Sequence, residues 1–418
     1  MASLGTTESV VSPPSRTVLP RSYLCWLAGT RVSLVGDAAL YFALGWAASA
    51  HGGQMAALVL TAITLPRTVL LLLGGAVGDR FGARRVMITG DVAMLAAVLA
   101  LAVASRIWGT PPWMLLGFAA VVGTVDAFYL PATGSMPRRL VSKEQLPRAM
   151  ALRQAGGQVA SLLGAPLGAV LVAMAGLSGT ALVDAGSFAA VLAVMLWVRP
   201  AAEAERSPRA ESLLAGIADG VKIAVTDPVL RTALLLTAAA AAGLLPAVAL
   251  LSPLLARSNG WGPGSAGLVA AGQGAGILLA ALLAARLGPM RRIGMGTSLG
   301  LALAVVGLAG LAAAPATAAA TAAAIAAAVV VGAGSGMFAC HMGPLVLAGA
   351  PDTHVSRVQS LLTLVQSLAL VVANNVLGWL ANAAGARSAI ALCAVLGCVA
   401  GVTGLASPSL RGLRQAKS

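Results

Sequence analysis

Charge is scarce in this chain. Only 10% of its 418 residues are Asp, Glu, Lys or Arg, 59% are hydrophobic, and the mean hydropathy is +0.91. Soluble domains carry roughly a quarter charged residues, so a water-soluble fold is excluded. Period-two alternation is missing too, which excludes a membrane β-barrel. Cysteine is rare: Cys25, Cys340, Cys393 and Cys398 sit in apolar runs without metal-ligand company and read as reduced core residues. There is no zinc-ligand spacing, nucleophile elbow or phosphate loop. GAGSG at Gly332–Gly336 lies inside an apolar run and reads as helix packing. No enzyme activity, metal or cofactor is therefore expected.

Small residues are plentiful, with 49 glycines and long alanine tracts, as suits helices packed closely in a bilayer. A helix needs ~20 apolar residues to cross ~30 Å of hydrocarbon. Twelve stretches qualify. The first six are Tyr23–Ala50, Met55–Gly75, Val86–Ala104, Trp113–Met136, Ala149–Ala175 and Thr180–Val198. The others are Val229–Leu255, Ala266–Ala285, Ile293–Ala314, Thr317–Leu347, Val358–Ala381 and Ser388–Ala406. The first run is too long for a cleaved leader, and no lipidation motif is present.

The formal charge of +14 does not mark a nucleic-acid surface, because the basic residues are dispersed in short loops. With the N-terminus inside, only Arg106, Arg257 and Arg387 fall outside. Arg16, Arg21, the Arg80–Arg85 loop, Arg138, Arg139, Lys143, Arg148, Arg153, the central break, Arg286–Arg292 and the C-terminal cations lie inside. This asymmetry predicts both termini in the cytoplasm and an even number of spans. The expected organisation is a cytoplasmic tail (1–22), a six-helix bundle (23–198), a linker with an amphipathic surface helix (199–227), a second six-helix bundle (228–406) and a cytoplasmic tail (407–418).

The halves echo each other. Span 2 ends DRFGARR and span 8 ends ARLGPMRR, so Arg80, Gly82, Arg84 and Arg85 align with Arg286, Gly288, Arg291 and Arg292 with one residue inserted. Asp79 has only Ala285 opposite. Internal duplication of this kind marks secondary transporters.

The stretch Gly75-Ala-Val-Gly-Asp79-Arg80-Phe-Gly82-Ala-Arg84-Arg85 resembles the loop signature between spans 2 and 3 of the major facilitator superfamily. The resemblance extends over the whole chain in span count, halves and central linker. LVGDAALYFALGW (Leu34–Trp46), LPRTVLLLLGGAVGDR (Leu65–Arg80), AFYLPATGSMPRRLV (Ala127–Val141) and LVDAGSF (Leu182–Phe188) look like the macrolide-efflux type of drug:proton antiporter. Span 4 departs from many antiporters: GFAAVVGTVDAFYL carries an acid where they carry arginine. The span 5 glycine-proline signature is reduced to Gly164-Ala-Pro166-Leu-Gly168-Ala. The resemblance implies twelve helices in two six-helix pseudo-repeats, alternating access and a monomer. It also implies a latch formed by Gly75, Gly78, Asp79, Arg80, Gly82, Arg84 and Arg85, with Asp79 accepting N–H groups at the start of span 11 near His354–Val358. Glycines at 74, 75 and 78 are expected to let the helix end sit against a neighbour, and the arginines to hold the loop at the anionic inner leaflet.

Ionisable groups within spans cost about 2.5–3.5 kcal/mol at a helix centre and are functional suspects. They are Arg31, Asp37, Arg67, Asp91, Asp126 and Asp184. Helical rise puts Arg31 roughly 12 Å and Asp37 roughly 21 Å beyond Tyr23, with Arg67 and Asp126 ~12 Å and ~15 Å from the inner ends of their spans. These depths allow an Arg31–Asp126 pair and, less comfortably, Arg67–Asp37. Asp37, Asp126, Arg31 and Arg67 are the proton-coupling candidates, with static ion pairing as the competing role. Asp91 is expected to pair structurally at the depth of Arg153, and Asp184 to be an interfacial or packing acid.

Gln154 and Gln158, one helical turn apart, with Gln273, His341, Gln366 and Asn374, are the substrate-cavity candidates; bonding to another helix is the alternative for each. Pro131, Pro246, Pro253 and Pro344 are expected to kink spans 4, 7 and 10. Aromatics are only 4% of the chain. A wall of alanine, leucine and valine with a few polar groups suits a greasy solute better than a sugar. The expected function is export of an amphiphilic small molecule, drug or antibiotic-like, by proton antiport from the cell membrane. The alternatives are export of one metabolite or siderophore, and a non-transporting sensor on the same fold.

Overall fold

The computed structural model describes residues 18–198 and 226–407, apart from 289, 291, 316, 318–319 and 350–354. The side chains of 72, 79, 248, 344, 346–349 and 355–357 also lie outside the description. The expected amphipathic linker helix and both tails beyond these limits fall outside it too.

Among the described residues the chain is helical, without a β-strand. This is what hydrocarbon demands, since each backbone N–H and C=O must be bonded within its own segment. Ten helices are long and apolar enough to cross a membrane. One of them, Leu146–Trp197, is 52 residues long and breaks at Gly176 (φ 64°), so it supplies spans 5 and 6. Span 7 is segmented: Pro228–Gly243, a π-helical turn at Ala247–Leu251 and Ser252–Ser258. The result is twelve spans. The others are Arg21–Ser49, Gly53–Phe81, Ala83–Trp108 and Pro112–Ser135 (spans 1–4), then Pro263–Leu287, Ile293–Ala313, Ala320–Gly349, Val355–Ala384 and Ala386–Ala406 (spans 8–12).

Local chemistry explains the ends. Asp227 caps span 7, its carboxylate accepting from Val229 N–H (2.8 Å) and Leu230 N–H (2.9 Å), with Pro228 at the first helical position. Gly82 (φ 87°) turns span 2 into span 3, and Gly288 (φ 73°) ends span 8 in the same left-handed region. The echo seen in sequence is thus a repeated backbone turn that favours glycine.

Glycine also decides which helices touch. Cβ atoms at Gly74 and Gly123 would run into the backbone of Ala127 and Ile63, so spans 2 and 4 are pressed together at two levels. Gly164 and Gly168 do the same for spans 5 and 1, against Ala38 and Ala39. In the second half Gly332 and Gly336 meet span 8, while Gly334, on the opposite helix face, meets Ala304 of span 9. The GAGSG stretch is a two-sided packing surface, as expected.

The halves meet at the end away from the basic Arg80–Arg85 loop. There Gly53 and Gly378 are in close approach and Gly53 N–H donates to Asn382 Oδ1 (2.6 Å). Two turns deeper, Asn375 Nδ2 donates to Thr61 Oγ1 (2.8 Å). Gly267 of span 8 packs on Ala165 and Ala169 of span 5. Arg257 reaches from span 7 to the last turn of span 1, donating to Ser49 Oγ and Trp46 O (both 2.7 Å) with its guanidinium over the Trp46 ring. The other two arginines at this end are also engaged: Arg106 donates to Ser178 Oγ, and Arg387 to Ala314 O and Asn259 Oδ1.

Several expectations need correction. All four cysteines are free, but Cys398 is exposed and so is not a core residue. Among the described residues, Gly75 and Gly78 have no neighbour within 4 Å of a Cβ, and of the three glycines Gly74 is the one seen in close packing. Pro131 lies within span 4 as expected, and Pro246 opens the π-turn of span 7. Pro344 lies outside the described side chains.

Candidate functional site

Two cavities adjoin the helices that carry the candidate residues. The first, about 340 Å³, lies between the halves and is lined by Tyr41, Phe42, Thr64, Arg67 and Ser161 from one side and by Ala249, Pro253 and Ala270 from the other. The second, about 470 Å³, lies among spans 7, 8, 10 and 11. Gln273, Gln359, Gln366, Thr363 and Ser335 supply its polar groups, with Phe338 and Met342 among the apolar ones.

The charged groups are concentrated beside the first cavity. Arg67 Nη1 and Asp126 Oδ2 are 3.9 Å apart, and both side chains are partly exposed. Tyr41 donates its hydroxyl to the same Asp126 oxygen at 3.1 Å. This corrects the expected pairing. Arg67 binds Asp126 because the crossings at Gly123 and Gly74 hold span 2 against span 4 on either side of the pair. Arg31 faces span 5: its stem packs at Gly156 and Gly157, and Nη1 makes a long 3.5 Å contact to Arg153 O. Packing of span 1 against span 5 turns Arg31 away from Asp126.

Asp37 stands one helical turn before Tyr41, on the same face of span 1. It lies within electrostatic reach of Asp184, then Asp126, then Asp91. Asp91 is fully buried and neither of its carboxyl oxygens has a hydrogen-bond partner among the described residues, so the expected Arg153 partnership does not form; Gly90 beside it packs on the Tyr129 ring. Asp184 is also buried (1% exposed) rather than interfacial. Its Oδ1 accepts from Ser187 Oγ at 2.8 Å.

The polar candidates divide. Gln273 and Gln366 line the second cavity. Gln154 and Gln158 are exposed and share a helix face with Leu162, which packs on Gly274 of span 8, so they point along the seam between the halves. His341 lines neither cavity. Its Nε2 accepts from Met290 N–H (2.9 Å) and its Nδ1 bonds Met337 O (2.7 Å), which fixes a neutral ring that ties down the turn after span 8. Asn374 is buried and lines neither cavity; its neighbour Asn375 makes the inter-half contact.

Within the latch motif, the Asp79 side chain and residues 350–354 lie outside the description. Arg84 has a definite task. Its guanidinium donates to Met195 O (2.8 Å), Leu196 O (3.1 Å) and Val198 O (3.0 Å) at the end of span 6. It satisfies the carbonyls that a helix end leaves bare and places a cation at the negative end of the dipole. Arg80 stacks over Phe81, and Arg85 is exposed. Tyr41 and Arg257 were not among the sequence candidates. Tyr41 had a signal in its spacing from Asp37; Arg257 read only as a topological exception.

The chain is similar to known proteins. The multidrug efflux pump Tap of Mycolicibacterium fortuitum is 30% identical over 229 residues, a match covering 52% of this chain and 56% of that protein. The chain thus spans little more than half of that relative. The protein of the same name from Mycobacterium tuberculosis H37Rv is 27% identical over 298 residues, covering 67% of this chain and 70% of that one. Among solved structures, a bacterial homologue of the lysosomal transporter Spinster, described as inward-facing and unoccupied, superposes with a TM-score of 0.74 over 95% of this chain and 99% of that one at 14% identity. The nucleoside transporter NupG gives 0.73 over 93% and 99% at 11% identity. Residues 27–374 match the family described as Major Facilitator Superfamily, and with twelve spans, the repeated Gly82 and Gly288 turns and a cavity between the halves, the chain belongs to that superfamily.

Proposed function

We propose that the chain is a secondary transporter of the cell membrane that exports an amphiphilic small molecule in exchange for protons. The observation that carries this reading is the Arg67–Asp126–Tyr41 cluster in and beside the wall of the cavity between the halves. A carboxylate that loses its proton gains the arginine's attraction, and one that takes a proton gives it up. A loose 3.9 Å pair that both water and solute can reach is suited to that exchange. The rest of the wall is apolar or neutral, which favours an uncharged or weakly basic amphiphile. The resemblance to relatives named as multidrug efflux pumps supports the substrate class.

The charge asymmetry supports a topology with both termini in the cytoplasm, in which the closed end described above faces outward and the Arg80–Arg85 loop inward. The carrier works as a monomer embedded in the bilayer. Glycines 75, 78 and 82 with Asp79, Arg80, Arg84 and Arg85 form the inner latch, and Arg84 anchors that loop to span 6. Expression in a drug-sensitive host tests the reading. Raised tolerance to several unrelated amphiphiles is expected, abolished by Asp126→Asn. Accumulation of one metabolite outside the cell, without raised tolerance, would favour the specific-exporter alternative.

A further inference from the structure

The proposed exchange leaves two buried acids unused, Asp91 of span 3 and Asp184 of span 6, and of these Asp184 acts more strongly on Asp37. Asp184 of span 6 is 1% exposed. Ser187 Oγ occupies its Oδ1 at 2.8 Å, while Oδ2 is buried with no hydrogen-bond partner. Span 1 is bare at this point: a Cβ on Gly36 would collide with Asp184 Oδ1 and with Ser187 Oγ. The acid therefore lies against the backbone next to Asp37. No described arginine is bonded to it, since Arg67 is paired with Asp126 and Arg31 turns to Arg153. The other charged or titratable groups around the cluster are Asp91 on span 3, Asp126 and Tyr129 on span 4, and Tyr41 on span 1.

An ionised carboxylate with one bare oxygen in a low-dielectric interior costs several kcal/mol, and two neighbouring carboxylates resist ionising together. We propose that Asp184 is a second proton-carrying carboxyl of this chain, holding a proton in the conformation described here and exchanging it with Asp37. Asp37 is partly exposed, and the Tyr41 and Asp126 that follow lead to the cavity. The proton leaves Asp184 Oδ2 and is taken up by the Asp37 carboxylate, so the pair keeps one proton and one negative charge between them. The transport role rests on the proton-exchange reading above; the protonation of Asp184 does not.

Infrared difference spectroscopy on the full chain in lipid, stepped in pH without any solute, tests this. A carboxylic-acid C=O band that shifts in D₂O is expected. Measured in an Asp91→Asn background, which removes the other buried acid, it should vanish in Asp184→Asn, return in Asp184→Glu, move in Asp37→Asn and persist in Asp126→Asn. If Asp184→Asn does not fold, Ser187→Ala serves, because loss of the donor on Oδ1 moves the same band. Absence of the band from the natural chain, its survival in Asp184→Asn, or its indifference to both Ser187→Ala and Asp37→Asn would overturn the proposal. In vesicles, Asp184→Asn should move one proton fewer per solute, and an unchanged ratio removes the relay. A chain that transports nothing from a broad drug panel yet shows the band refutes the exporter reading alone.

Discussion

Replacing Arg257 by alanine should open the end of the bundle that is closed in this structure. Arg257 belongs to span 7, and its partners, Ser49 Oγ and Trp46 O, belong to span 1. Its bonds therefore exist only while the halves are together. Each hydrogen bond from a charged donor contributes about 1.5–3 kcal/mol net. Partial exposure of Arg257 argues for the lower figure, and cation–π contact with Trp46 adds about 0.5–1 kcal/mol. A loss of ~3.5 kcal/mol corresponds to a shift of about 300-fold between the two conformations. Spin labels at Ile107→Cys and Ala383→Cys, in a background without the four native cysteines, report the separation at this end. The distance distribution should move to longer values in Arg257→Ala and partly so in Arg257→Lys, which keeps the charge but loses the fork. Arg387→Ala is the control, because the described partners of Arg387, Ala314 and Asn259, both belong with it to the last six spans. Equal distributions in Arg257→Ala and the control would refute this reasoning.

Other outcomes follow from the same contacts. Arg84→Ala strips the end of span 6 of its cation and should destabilise the protein by up to about 1.5–3 kcal/mol, read as a lower melting temperature in detergent; Arg80→Ala, which removes no such bond among the described residues, should change it little. Gly123→Leu forces a side chain into the backbone at Ile63 and should cost more than the 1–3 kcal/mol of ordinary overpacking. Gly75→Leu, with open space around it, should be tolerated; expression yield and thermal stability separate the two. Tyr41→Phe removes one donor from Asp126 and should slow transport by about 2–10-fold, the effect of ~0.5–1.5 kcal/mol, without loss of folding.

The spans were legible because hydrocarbon thickness sets a length and composition that a soluble chain does not show. Their ends agree with the structure to within a few residues, including the segmented span 7, whose π-turn follows Pro246, while span 2 runs on past Gly75 to Phe81. The pairing of charges was not legible from depth alone. Arg31 and Arg67 lie at similar depth, and the choice between them was made by glycines: Gly123 and Gly74 bind span 2 to span 4, and Gly164 and Gly168 bind span 1 to span 5. Those glycines were in view as composition, but their partners only appear once the helices are rotated into place. His341 was misread for a related reason. A polar residue in an oily run looks like a ligand group until the backbone N–H it serves, at Met290, is folded back beside it. Arg257 looked like a stray positive charge because its reason lies on span 1, some two hundred residues earlier.

The central claim is that Asp126 couples proton movement to transport. Purified protein in liposomes, loaded with a fluorescent amphiphile and given an imposed pH gradient, measures this directly. Asp126→Asn should bind the amphiphile with unchanged affinity, keep downhill exchange, and lose accumulation against a gradient and its dependence on pH. Gradient-driven accumulation at the natural rate in Asp126→Asn, with the same pH profile, would contradict the account.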